Sequence, residues 1–403
     1  MRYLNVILSV SVWLCAAVGA SAEAGRLEVK FDFCGTPIRF EAERSLVVNF
    51  NGPLETQSIR NFYTTLEAGD YQPVLKALLD YKAAHDTDDW LYYQLIRRTV
   101  QQISPKEANY EQYTLYKWFF FIKSGYDAIL ATGNNCLLFY VRCNENAYNI
   151  PTRQTRGKQY VCLNFHDYKQ IDPDRLRLSE VPPPYTEAEK TFSYKIHRLP
   201  DFQPADYHNR DIRFSYYQHD FYFKVKVNSA IQALFKNYPV LDYDFYFNMP
   251  LSRETYQSLI PTLRRNIRGL TTANGVDYLM RFTRYAFLFQ ADTEKFGEEK
   301  RFFPEQTLLY EQSDCEDRAA LFFYLVKEIY DLPMIVLAYP EHVTVAVRFE
   351  HPVGSSIWYN GAQYSVCEPT PQRQDLQIGE LLPELRNQDF QIVYAYDPQA
   401  SNR

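Results

Sequence analysis

The chain has 403 residues, of which 46% are hydrophobic and 23% charged, and it carries a formal net charge of −6 at pH 7. That composition suits a soluble globular protein of two or three domains and excludes a disordered chain. The mild negative charge leaves no basic footprint, which excludes nucleic acid as a partner.

The aromatic content stands out, with 34 Tyr and 28 Phe against 14 Gly. Tyrosine at that density fits half-exposed strand faces and interaction surfaces alike. At the N-terminus, Arg2 precedes an uncharged, mostly apolar run from Leu4 to Gly19, and Ala20-Ser21-Ala22 follows. This pattern predicts a secretory signal peptide over residues 1–22, cleaved to leave Glu23 first, and hence an exported protein. Trp13 and Leu14 before Cys15 make a poor lipid-attachment signal. No later stretch reaches the roughly 18 apolar residues of a membrane span, so none is expected.

Residues 23–181 read as one domain, helical and then β-rich. Leu27 to Phe33 and Ile38 to Phe40 alternate as a hairpin. From Thr56 to Ser124, Phe62, Leu66, Val74, Leu75, Leu78, Leu79, Leu91, Leu95 and Ile96 mark three helices. Tyr113 to Ile122 is a fourth, and Phe119-Phe120-Phe121 predicts that it is buried on most sides. After Gly125 the period changes to strands at Ala128–Ala131, Leu137–Arg142 and Gln159–Asn164. His166 follows Cys162 closely, a spacing with no motif behind it.

Pro182-Pro183-Pro184 reads as a linker. Beyond it, Thr191 to Leu199, Ile212 to Tyr217, Phe221 to Val227 and Leu241 to Phe247 are short aromatic runs with alternation. They predict an antiparallel β module over residues 185–250, either a brace for the next domain or a glycan-binding face.

Residues 251–403 form the last unit. Tyr256, Leu259, Ile260, Leu263 and Ile267 mark one amphipathic helix; Val276, Leu279, Met280, Thr283 and Phe287 mark a second. Arg264, Arg265 and Arg268 line a solvated face. The charged stretch from Asp292 to Arg301 is a candidate flap. Then comes Ser313-Asp314-Cys315-Glu316-Asp317-Arg318, opening a run in which Ala319, Phe322, Phe323, Val326 and Tyr330 recur at helical spacing. Ser313 with Glu316 fits a capping box, placing Cys315 in the first turn, where the helix dipole favours a thiolate. Glu316 and Asp317 oppose that charge, so a basic partner is needed. His342 supplies one, 27 residues on, at the head of an alternating strand. Asn360-Gly361 is a type I′ hairpin signal, returning the chain so that Tyr364, Val366 and Glu368 share a face.

The order D-C-E-D at a helix start, His at a strand start and then E-P-T resembles the transglutaminase-like superfamily, over residues 250 to 397. That resemblance implies an α+β protein with a C-terminal papain-like core of helix plus antiparallel sheet. It implies Cys315 as nucleophile, His342 as general base and Glu368 as orienting acid. Ser313 stands where the family usually has Gly, and Glu368 where it usually has Asp. The backbone N–H of Cys315 would meet the oxyanion, with Gln306 and Gln312 as candidate side-chain donors. The expected activity is a thiol hydrolase cleaving a peptide or amide bond through an acyl-cysteine, acting on a peptide, protein or glycopeptide. The alternatives are a transglutaminase, with an amine as acceptor, and an inactive glycan- or peptide-binding protein.

Cys34, Cys136, Cys143, Cys162, Cys315 and Cys367 remain after cleavage. Cys143 with Cys162, or Cys136 with either, could pair in an exported protein, but buried thiols are the default. With no C-x-x-C, H-E-x-x-H, G-x-S-x-G, phosphate loop or calcium loop, no cofactor or metal is expected.

Overall fold

Alternation at the start of the chain builds a hairpin of β1 (Arg26–Phe33) and β2 (Thr36–Glu43), with Val29, Phe33, Ile38 and Phe40 facing the core. Four helices follow in the computed structural model, as the apolar spacing predicts: α1 (Thr56–Ala68), α2 (Gln72–Ala84), α3 (Asp89–Ile103) and α4 (Tyr110–Lys123). The described residues are 25–133, 135–168, 177–182, 188–289, 301–310 and 312–398. The signal-peptide reading and most of the candidate flap lie outside them, as do Pro183 and Pro184 of the linker.

In α4, Leu115, Tyr116, Trp118, Phe119, Phe120 and Phe121 are all buried, so the helix is enclosed on every side. Burying each such side chain stabilises the fold by roughly 1.5–3 kcal/mol. The sheet that encloses it contains β3 (Ala128–Gly133), β4 (Cys136–Arg142), β5 (Thr152–Thr155), β6 (Lys158–Cys162) and β7 (Ser179–Val181). It is antiparallel throughout, in the order β5-β6-β4-β3-β7.

The stretch 185–250 departs from the four-stranded module that its alternation suggests. Among its described residues only β8 (Tyr207–Tyr216) and β9 (His219–Asn228) pair as strands, forming a hairpin. Lys190 and Phe192 make single bridges to Tyr126 and Cys143, so this segment runs along the first sheet. Beyond β9 come two short helices, α5 (Ala230–Phe235) and α6 (Tyr243–Phe247). Of the aromatic run Leu241–Phe247, Leu241 makes a single antiparallel bridge to Ala147 and Tyr243–Phe247 is helical, with Tyr246 and Phe247 buried.

Next are α7 (Arg253–Asn266), α8 (Thr272–Tyr285), β10 (Leu288–Phe289), α9 (Pro304–Leu309) and β11 (Gln312–Ser313). They lead into α10 (Cys315–Tyr330), which is buried from Asp317 to Val326. The second sheet contains β12 (Met334–Tyr339), β13 (His342–Val347), β14 (Ser356–Tyr359), β15 (Ala362–Cys367) and β16 (Gln391–Tyr396). It is again antiparallel, in the order β14-β15-β13-β12-β16.

The two halves therefore share one plan: a hairpin, a set of helices, an enclosed helix, and five strands in the same order with the same pairings. The likeness extends to the turns. Arg156-Gly157 joins β5 to β6 and Asn360-Gly361 joins β14 to β15, each with positive φ at both residues, as a type I′ turn requires. No helix among the described residues is long and apolar enough to cross a membrane.

Candidate active site

The start of α10 is fixed by charge and capping. Its N-cap is Asp314, one residue later than the Ser313 expected from the S-x-x-E pattern. Asp314 Oδ1 accepts from the Asp317 N–H at 3.1 Å, and the Asp314 N–H donates to Asp317 Oδ2 at 3.4 Å. Aspartate is an equally good cap, and Ser313 is held in β11, paired with Phe289 of β10. Cys315 remains in the first turn. Beneath it, the fully buried Arg318 guanidinium donates to the carbonyls of Thr283, Arg284 and Phe287, at 3.0, 2.9 and 3.1 Å. This charge ties the end of α8 to the start of α10.

His342 opens β13 opposite Tyr339. Val345 pairs with Cys367, so the ladder places Glu368 across from Thr344, a diagonal neighbour of His342 on the same sheet face. Glu368 Oε2 lies 2.7 Å from His342 Nε2. The other carboxylate oxygen accepts the Thr370 N–H at 2.9 Å, and Arg284 Nε donates to the Glu368 carbonyl at 3.2 Å. With Glu368 1% exposed and held at both ends, the imidazole is oriented through Nε2, which leaves Nδ1 for another partner.

The Cys315 sulfur reaches the head of the same strand, where the backbone N–H of Val343 points toward it and favours the thiolate. Among the described residues no hydrogen bond joins this sulfur to the imidazole. Burial nevertheless pushes the Cys315 thiol up to about 12, reinforced by the carboxylates of Asp314, Glu316 and Glu368. Burial and these acids therefore oppose the thiolate that the helix start favours. One helix end favours the anion by about 1 kcal/mol, too little to offset desolvation and three nearby acids. Glu316 is itself held by Arg301 Nε at 2.7 Å and by the Tyr243 hydroxyl at 2.9 Å.

Of the two glutamines considered as oxyanion donors, Gln306 is buried and its amide oxygen caps the start of α9 through the Phe303 N–H, at 3.4 Å. Gln312 sits half-buried in β11, three residues before Cys315. Sequence reasoning missed three buried hydroxyls around the site: Ser313 Oγ, Tyr339 OH and Thr370 Oγ1 have no hydrogen-bond partner. Ser313 precedes the helix cap, Tyr339 faces His342 across the hairpin, and Thr370 donates its N–H to Glu368. The T of E-P-T was the available signal for the last. A groove of about 780 Å³ opens beside the imidazole, lined by Glu341, His342, Gln372, Arg373 and Gln374 among others.

The first half shows what the same scaffold does without these residues. Tyr110 opens α4 as Cys315 opens α10, and Cys136 opens β4 as His342 opens β13. The β4–β6 register, Tyr140 with Cys162, puts Asn164 where the second half has Glu368. Asn164 Nδ2 donates to the Tyr110 hydroxyl at 2.9 Å, and the Tyr168 hydroxyl accepts the Leu137 N–H, the counterpart of the Val343 N–H, at 3.1 Å. Tyrosines thus stand where the second half has its thiol, and Cys136 stands where it has its imidazole.

All six described cysteines are free thiols, including Cys136, Cys143 and Cys162. Among the described residues no group of three or more His, Cys, Asp or Glu side chains is placed to hold a metal ion. Compared with known family models, curated proteins and solved structures, the chain matches none.

Proposed function

We propose that the protein is an exported thiol hydrolase of the transglutaminase-like type, cleaving a peptide or amide bond with Cys315, His342 and Glu368. The observation that carries this reading is the 2.7 Å contact between His342 Nε2 and Glu368 Oε2, with the Cys315 sulfur against the N–H of the next residue, Val343. In this reading the thiol proton passes to His342 Nδ1 as the sulfur attacks the carbonyl carbon. The C–N bond then breaks, the imidazolium proton goes to the leaving amine, and water resolves the acyl-cysteine, regenerating the thiol. With burial opposing the thiolate, His342 is assigned the general-base role in the attack rather than half of a standing ion pair. The groove beside the imidazole is where the leaving-group side of a chain would lie.

The raised thiol pKa favours one competing reading, a non-catalytic peptide-binding protein on the same fold. Release of ammonia and new amines from a casein digest, with and without methylamine, separates the readings. Release that disappears in both Cys315→Ala and His342→Ala supports the thiol hydrolase. Methylamine incorporation in place of hydrolysis assigns amine transfer. No turnover by the wild-type chain, or release that survives Cys315→Ala, sinks the catalytic reading.

A further inference from the structure

A second cavity, of about 270 Å³, is lined from both halves, and Cys315 is not among its lining residues. Its walls include Trp90, Tyr194, Tyr238, Tyr246, His166 and Arg301. The polar tips of three of these rings are already spent on backbone carbonyls. Trp90 Nε1 donates to Leu234 at 3.1 Å, the Tyr238 hydroxyl to Tyr194 at 2.7 Å, and the Tyr246 hydroxyl to Pro239 at 2.6 Å. What these rings offer an occupant is therefore apolar surface. His166 contributes an imidazole: burial brings its pKa down to about 3, and its buried Nε2 lies 3.4 Å from Asp167 Oδ2 without a hydrogen bond.

Lys236 and Arg301 are the cationic members, and Arg301 is the one fixed by protein contacts. Its Nε holds Glu316 and its Nη1 donates to the Leu241 carbonyl at 2.9 Å, while Nη2 has no hydrogen bond among the described residues. A guanidinium set against aromatic rings, with its side chain only 16% exposed, binds a carboxylate better than one in open solvent. The volume is at the small end for ligand pockets and suits one ring with a short chain.

We propose that this cavity binds a small organic carboxylate on an aromatic or apolar body, with Arg301 as its anion contact. The site uses no atom of Cys315, so it stands or falls independently of the hydrolase reading.

The test is calorimetric titration of the full chain with 3-phenylpropionate and with its neutral amide, 3-phenylpropanamide. The acid should bind at least about tenfold tighter than the amide, and Cys315→Ala should leave that unchanged. Arg301→Gln should abolish the preference, and Ile150→Trp, which fills the cavity, should abolish both interactions. Equal binding of acid and amide, no heat from the acid up to about 10 mM, or binding indifferent to both cavity variants would overturn the proposal. Thermal unfolding checks that each variant folds; should one fail, the wild-type comparison of acid with amide still decides.

Discussion

Tyr110 and Cys315 occupy one and the same place in the two halves of the chain, the first residue of the enclosed helix that leads into a five-stranded sheet. In the first half the Tyr110 hydroxyl donates to Asp167 at 2.9 Å and accepts from Asn164, so the helix start is closed by its own hydrogen bonds. In the second half the corresponding places hold a thiol, an imidazole and a carboxylate. The scaffold alone therefore does not impose a reactive set; the residues at three register-matched places do.

The Glu368 contact should matter to chemistry more than to folding. Glu368→Ala removes the acceptor at His342 Nε2, and turnover of the casein digest should fall by about 10³-fold or more. Steady-state kinetics would show the loss in kcat. A change confined to KM would mean that the carboxylate does not orient the imidazole.

Thiol reactivity should follow pH in the direction that burial dictates. With Cys315 held up to about 12, its alkylation by iodoacetamide should rise about tenfold per pH unit from 7 to 10. Mass spectrometry of the labelled peptides locates the thiol. Cys34 is the other partly exposed cysteine, also pushed up to about 12, whereas Cys136, Cys143, Cys162 and Cys367 are buried and should label only after denaturation. A plateau reached by pH 7 would show that the thiolate forms at rest after all.

Glu316 and Arg301 should move that reactivity in opposite directions. Glu316→Gln removes a negative charge beside the sulfur, favours the thiolate, and should speed alkylation at pH 8. Arg301→Gln uncovers Glu316 and should slow it. Each change should be severalfold, since a partly exposed charge pair is worth about 1 kcal/mol. Stopped alkylation time courses would measure both.

Arg318 is a stability residue. Arg318→Met leaves the carbonyls of Thr283, Arg284 and Phe287 without their donor, and should cost about 3 kcal/mol or more. Urea unfolding followed by circular dichroism reads this directly.

Much of this was legible in the residues. Apolar spacing placed the four helices of the first half, and Asn360-Gly361 announced its turn, because a period of 3.6 and a pair of positive φ values leave local traces. Cys315, His342 and Glu368 were legible as candidates, and two of them meet through a hydrogen bond. The N-cap was misread by one residue because Ser313 and Asp314 are both good caps, and only the pairing of Ser313 in β11 decides between them. The opposition of Glu316 to a thiolate was legible, but the burial of the thiol was not, because it comes from tertiary packing. Of the repeated plan the residues show only the helical-then-β order of residues 23–181, since Tyr110, Cys136 and Asn164 share no chemistry with their counterparts. Sheet order and register carry that likeness, and neither is written in a linear pattern.

The ladder between β13 and β15 has a final consequence. Side chains alternate across a strand, so sliding one of these strands by a single residue would turn Glu368 to the opposite surface from His342. A misthreaded molecule could keep its strands, its helices and its circular dichroism yet lose the imidazole's partner altogether. Catalytic competence, where it is measured, therefore counts correctly zipped molecules, and refolding yield scored by turnover should lag behind yield scored by secondary structure.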